Sequence, residues 1–244
     1  MKRKYWIWVV LLLAAAGVIG WFLPVLIIEN QDAMVEGKPE PVSIQQIDIS
    51  YQTDLSAADK LRLMRERSSA DTVPLERGIF MTDRDVRSVV EQFLKELTGN
   101  PLELGAKNFS AAPMLLNYGS EGSVLVWNVM VSLDDSWRCD AVVDDQTGLL
   151  LECSFSGYPE WWETLFYDLE SVTDVREHIC SVLGDALCAH CSRQLSIAYT
   201  AFLTEKDMQD FGGSGVFLLS ENGQERLRFP FLLILREGLL TINQ

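Results

Sequence analysis

The chain has 244 residues, 48% of them hydrophobic, enough for one large domain or two small ones, each with a core. Against 20 Lys and Arg stand 35 Asp and Glu, a formal net charge of −15. An acidic surface repels phosphate backbones, so a nucleic-acid partner is not expected, and the acidity is otherwise read as solubility.

The first element is the sharpest local signal. Lys2, Arg3 and Lys4 precede an apolar run from Tyr5 to Ile28 that no charge interrupts. As a helix this run would rise about 36 Å, enough to cross a bilayer's hydrocarbon core. Trp6, Trp8 and Trp21 lie toward its ends, where indoles favour the interface. The basic cluster belongs in the cytoplasm, with Glu29, Asp32 and Glu36 on the far side. A cleaved signal peptide ranks second, because the run is long for an h-region and no clear A-x-A site follows. Residues 1–28 are therefore read as a signal anchor, with 5–28 in the membrane and the remainder extracytoplasmic. Disulfides are allowed there, although five cysteines leave at least one thiol unpaired within the chain.

Residues 29–80 read as a stalk or linker. "NQDAMVEGKPEPVS" is polar and broken by Gly37, Pro39 and Pro41. A short strand is expected over Ser43–Ser50. Ser56 and Asp59 stand at capping-box spacing before a short helix within Leu55–Arg67, followed by a loop through Pro74.

Residues 81–156 form the first α+β unit. Thr82 and Asp85 again match the capping box. Val86, Val89, Val90, Phe93, Leu94 and Leu97 make a helical stripe that Gly99 and Pro101 stop. Strands are expected within Asn108–Tyr118 and over Val124–Leu133, Trp137–Val143 and Leu149–Phe155. Alternation sets the register of the last pair: Val143 with Leu149, Ala141 with Leu151, Cys139 with Cys153, Trp137 with Phe155. Trp127, Val129, Val131 and Leu133 join the same face, which the helix would cover.

Residues 157–170, "GYPEWWETLFYDLE", suggest a connecting helix with an apolar stripe. Trp161, Trp162 and Phe166 are its candidate interaction patch, although a core or inter-domain helix is the simpler assignment.

Residues 171–244 repeat the plan. "DVRSVVEQFLKEL" starts at Asp85 and "DVREHICSVLGDAL" at Asp174, and "GLLLEC" at Gly148 is echoed by "GLLTIN" at Gly238. Strands are expected over Leu195–Leu203, Val216–Ser220 and Arg226–Leu235, then from Leu239, with a hairpin turn at Asn222-Gly223. The fold class expected is α+β: a transmembrane helix, then two tandem units, each a helix packed on its own antiparallel sheet.

The stretch "VWNVMVSLDDSWRCDAVVDDQTGLLLE" resembles the hairpin signature of PepSY-like domains. An aromatic-rich strand is followed by a second ending in Val143-Asp144, then Thr147-Gly148 and Leu149-Leu150. The resemblance is good over residues 80–156; over 171–244 it keeps Gly-Leu-Leu and lacks the Asp and Thr. It implies a bacterial, exported, non-catalytic domain that regulates peptidases or serves signalling, germination or envelope control. No catalytic residue carries over, and no cofactor is implied.

Other chemistry is sparse. His178, Cys180, Cys188, His190 and Cys191 look compositionally like a metal or redox site. On a continuous helix Cys180 and Cys191 would stand about 16 Å apart along the axis, too far to share one zinc. Cys188 and Cys191 fall at a helix C-terminus, where the dipole opposes a thiolate. Buried thiols or a local disulfide are favoured; a metal on Cys188, His190 and Cys191 after a break near Gly184 is the minor reading. Cys139 and Cys153 are either a cross-strand disulfide or two buried thiols. Asp134, Asp135, Asp144 and Asp145 lack a calcium-loop pattern and read as turn residues. "GGSG" (212–215) reads as a flexible loop without phosphate-loop spacing, and Glu160 and Glu163 as solvated charge. The function expected is a non-catalytic, membrane-anchored binding or regulatory protein of the bacterial envelope, with a protein partner at the membrane. The alternatives are an exported metal- or thiol-binding protein and a structural envelope component.

Overall fold

Ser56 opens the first helix as expected: its hydroxyl accepts from the Asp59 amide at 3.2 Å. In the computed structural model, which describes residues 55–134, 137–157, 172–209, 212–234 and 239–243, this helix is α1 (Ala57–Met64). Leu61, Leu63 and Met64 are buried, so α1 is part of the core. Next, α2 (Asp83–Thr98) begins with a complete capping box. Thr82 Oγ1 accepts from the Asp85 amide at 3.4 Å, and Asp85 accepts from the Thr82 amide at 2.8 Å. Val86, Val90, Phe93, Leu94 and Leu97 are its buried stripe, and Gly99 ends it at φ 73°. The third helix, α3 (Val172–Leu195), runs unbroken through Gly184. A Cβ at Gly184 would meet Phe217 Cε1 at 3.1 Å, so the glycine serves close packing, not a helix break.

The strands are β1 (Asp71–Pro74), β2 (Phe109–Asn117), β3 (Ser123–Asp134), β4 (Trp137–Asp144), β5 (Leu150–Gly157), β6 (Thr200–Gln209), β7 (Gly212–Glu221), β8 (Gln224–Ile234) and β9 (Leu239–Ile242). They form one antiparallel sheet in the order β1-β2-β3-β4-β5-β9-β8-β7-β6. This corrects the expectation of two tandem helix-on-sheet units. The element order does repeat, helix then four strands, yet β5 pairs with β9 through Cys153↔Ile242, Ser154↔Thr241 and Phe155↔Leu240. Each meander alone would leave its last strand with unpaired N–H and C=O groups; joining the two last strands satisfies both rows. The helices follow: α2 and α3 lie against each other, the Phe93 ring edge-on to His190 and Arg193 ion-paired with Glu96.

Local registers are mixed in outcome. β3 and β4 pair through Trp127↔Val143, Val129↔Ala141 and Val131↔Cys139, which places these residues on one face as expected, and the register shifts between Ser132 and Asp134. Asn222 (φ 50°) and Gly223 (φ 79°) make the two-residue hairpin turn. The β4–β5 register is shifted by two beyond an irregularity at Val142/Val143. Ala141 faces Cys153, Cys139 faces Phe155 and Trp137 faces Gly157. Leu151 is the unpaired residue of this bulge, which lets Leu149, Leu150 and Leu151 all be buried. "GGSG" is not a loop but the start of β7: a Cβ at Gly215 would sit 2.7 Å from Phe231 Cε1, so the small residues admit that ring. The loop expected before Pro74 contains the edge strand β1.

Among the described residues no helix is long and apolar enough to cross a membrane. The Tyr5–Ile28 segment and the Ser43–Ser50 strand lie outside the described residues, as do Trp161, Trp162 and Phe166 of the proposed patch.

Candidate binding groove

One sheet face carries Phe109, Trp127, Val131, Cys139 and Phe155 and packs under α2 and α3. Alternation sends the intervening residues to the opposite face. There the pairs Ser110↔Met130, Met130↔Asp140 and Asp140↔Ser154 form one row, and Asn128↔Val142 and Val142↔Glu152 the next. Arg67, in the 3-10 turn after α1, reaches over this face. It donates to Asn128 Oδ1 at 2.8 Å and to Glu152 Oε2 at 3.3 Å. Arg138 grips Asp140 with Nε and Nη2 at 2.7–2.9 Å. Together these residues line a concavity of about 340 Å³. Guanidinium and carboxylate alternate around it, with two hydroxyls, an amide and the exposed Met130 thioether. Arg138 and Asp140 are half exposed, so their mutual attraction is weak and open to exchange for a ligand's charges.

The groove is held by buried polar ties. Lys60, only 4% exposed, donates to both oxygens of the fully buried Asp144 at 2.9 Å and to Gln146 Oε1 at 2.9 Å. Asp144 Oδ2 also accepts from the Thr147 amide (3.0 Å) and hydroxyl (2.6 Å), closing a turn that Gly148 completes at φ 73°. Asn243, at the end of β9, donates to Leu61 O and Leu151 O at 3.1 and 2.7 Å. Thus α1 is pinned to the face that bears the groove, and Arg67 is placed by it. The neighbouring Asp145 is equally buried. It accepts from the amides of Ile79 (2.9 Å), Phe80 (2.9 Å) and Met81 (3.2 Å) and from Trp127 Nε1 (2.7 Å). The two aspartates do shape a turn, as expected; they are also the anchors of α1 and of the loop before α2. Sequence reasoning missed Lys60 and Asn243. The available signal was a lysine directly before Leu61, inside the apolar side of a capped helix.

The cysteines and histidines fall apart as a site. His178 is exposed. Cys180 and Cys191 are buried, and Cys188 Sγ donates to Tyr199 O at 2.8 Å. His190 Nε2 accepts the Leu150 amide at 2.9 Å, so its metal-binding lone pair is already used. Among the described residues no three His, Cys, Asp or Glu side chains are grouped to hold a metal ion. Burial pushes the Cys191 thiol up, away from thiolate chemistry. Cys139 and Cys153 are free thiols with sulfurs 3.7 Å apart, on the same face of adjacent strands but staggered by the bulge rather than opposite. Burial first, and the Cys139 contact second, raise the Cys153 thiol well above its ordinary range.

His190 yields a pH prediction. Burial lowers it from 6.5 to about 4, so the folded chain keeps the ring neutral where the unfolded chain protonates it. The unfolded state therefore binds more protons as pH falls from 6.5 towards 4, and stability falls across that window, by on the order of 3 kcal/mol when complete. Urea midpoints measured between pH 7 and pH 4 should drop accordingly, and His190→Gln should flatten that part of the curve. A profile the variant leaves unchanged would assign the acid sensitivity elsewhere.

Comparison with protein-family models, with curated proteins and with solved structures found no match.

Proposed function

We propose that this chain is a non-catalytic binding protein of the bacterial envelope, tethered to the membrane through residues 5–28, whose groove on the open sheet face receives a segment of a protein partner. The observation that carries the reading is the groove itself. Its guanidinium, carboxylate, amide and hydroxyl groups are ranked across β2 to β5 at strand spacing, and Arg67 is fixed above them. Such a surface suits an extended polypeptide bearing charges of both signs. The anchor raises the effective concentration of the groove near a partner in the same membrane. The PepSY-like resemblance is part of this proposal, supported by the tied turn at Val143-Asp144 and Thr147-Gly148.

The test is a photo-crosslinking amino acid at Met130, 42% exposed in the groove, in the full chain expressed in its membrane. A discrete adduct with one envelope protein is expected, and it should be lost in an Arg67→Glu, Arg138→Glu variant. The same crosslinker at Lys95, exposed on α2 behind the sheet, should give none. Indistinguishable adducts from the two positions would end the proposal.

A further inference from the structure

The thiols of Cys139 and Cys153 stand directly behind the groove. Alternation puts each sulfur on the core face and its chain neighbours on the open one. Arg138 and Asp140 flank Cys139, Glu152 and Ser154 flank Cys153, and all four line the groove. The two sulfurs are in contact, 3.7 Å apart, on residues that are 1% and 0% exposed. Pairing through Cys139↔Phe155 and Ala141↔Cys153 makes the cysteines diagonal neighbours on that face. A disulfide holds its sulfurs about 2 Å apart, so the pair has less than about 2 Å left to close. The ladder is interrupted at Leu151, two residues before Cys153, and a bulge bends the strand that carries it. Cys188, by contrast, has its sulfur engaged by Tyr199 O at 2.8 Å.

We propose that Cys139 and Cys153 are a modification site: they close to a disulfide as β4 and β5 come together, and the bond braces the groove from behind. The step is thiol–disulfide exchange with a small-molecule or protein disulfide. One cysteine thiolate attacks the external disulfide, forming a mixed disulfide and releasing one external thiolate. The second cysteine thiolate attacks the protein sulfur of that mixed disulfide and releases the other. The protein gives up two S–H protons and two electrons; the external disulfide takes them and leaves as two thiols. Attack needs both a thiolate and access. The folded core opposes both, because the sulfurs are enclosed and burial raises the Cys153 thiol. Exchange therefore precedes closure of the core, and the finished bond is sealed within it. The supply of oxidant in the cell rests on the extracytoplasmic reading of this unit; the test supplies its own oxidant, so the two fail separately.

The full chain is synthesised cell-free into detergent micelles, with a mixture of oxidised and reduced glutathione present either during synthesis or only after folding under reducing conditions. After an acid quench, thiols are alkylated in denaturant and unreduced peptides are mapped by mass spectrometry. Synthesis in the glutathione mixture should give a chain lighter by two hydrogens, with two of the five cysteines closed to alkylation and a peptide pair linked through Cys139 and Cys153. Glutathione added after folding should link the pair at least about tenfold more slowly. In the linked chain, amide exchange at Arg138, Asp140, Glu152 and Ser154 should slow by about tenfold relative to the reduced chain, and by more than it slows in β7. Five alkylated cysteines in every arm, or a link through Cys188 and Cys191 instead, overturns the disulfide. Equal rates of linking during and after folding overturn the seal, and amide exchange that slows no more at the groove than in β7 overturns the brace. Loss of the Met130 adduct in a chain that carries the link touches only the partner proposed for the groove.

Discussion

Replacing Lys60 by Met is expected to destabilise the folded unit by about 3–5 kcal/mol, because it strands a buried charge. Asp144 is wholly enclosed, and Lys60 Nζ contacts both of its oxygens. Thr147 supplies two further donors, which hydrogen-bond the carboxylate without neutralising it. The measurement is urea denaturation of the full chain in detergent, followed by tryptophan fluorescence. Asp144→Asn added to Lys60→Met removes the charge and keeps an acceptor for Thr147. The double variant should recover at least about 1 kcal/mol relative to the sum of the singles. A loss below about 1 kcal/mol in Lys60→Met, the range of an exposed pair, would show that water reaches the site. Loss of this tie should also loosen Arg67, since α1 carries the turn that bears it.

The second large effect is expected at Asp145. Asp145→Ala leaves three amides and an indole N–H facing a void, and should cost about 3–5 kcal/mol. Asp145→Asn keeps one accepting oxygen and should fall between that variant and the parent. The defect has a local signature that simple destabilisation lacks. Amide hydrogen exchange at Ile79, Phe80 and Met81 should accelerate in Asp145→Asn well beyond the core of α2, because only their acceptor has changed. Uniform acceleration throughout the unit would mean that the carboxylate is not what holds the loop before α2.

Both predictions concern residues first assigned to turn chemistry, and the reason is general. A turn is a local event: the spacing of Asp144, Thr147 and Gly148 is enough to specify it. What the second side of an aspartate touches is a long-range matter. Lys60 lies 84 positions from Asp144, and the amides that bind Asp145 lie 64 to 66 positions away. Charged residues are rarely buried, so composition assigns them to the surface by default, and only a partner overrides that assignment. The histidine followed the same rule. His190 was conspicuous by its cysteine neighbours, yet its role is to accept one buried amide at the β4–β5 turn.

The β4–β5 register shows how far periodicity reaches. A period of two specifies which residues face the core, and Trp137, Cys139, Ala141 and Val143 do face it. It does not specify the pairing, because a shift of two preserves the face. The turn, which pairs Val143 with Leu150, and the bulge at Leu151 each contribute one residue to that shift, and so stagger the two thiols.

By itself the sequence determined the capped starts of α1 and α2, the β3–β4 register and the Asn222-Gly223 turn. Each depends on contacts within 18 positions along the chain, the span of the Val126↔Asp144 pair, and on side-chain chemistry with few alternatives. The tertiary structure alone decided that two repeated sets of strands make one sheet rather than two. Edge satisfaction between β5 and β9 is not written in either strand's pattern. It also decided that α1 belongs to the core, and that the polar face left open by α2 and α3 is concave. Burial of the lysine and the two aspartates beneath that face fixes where the groove stands.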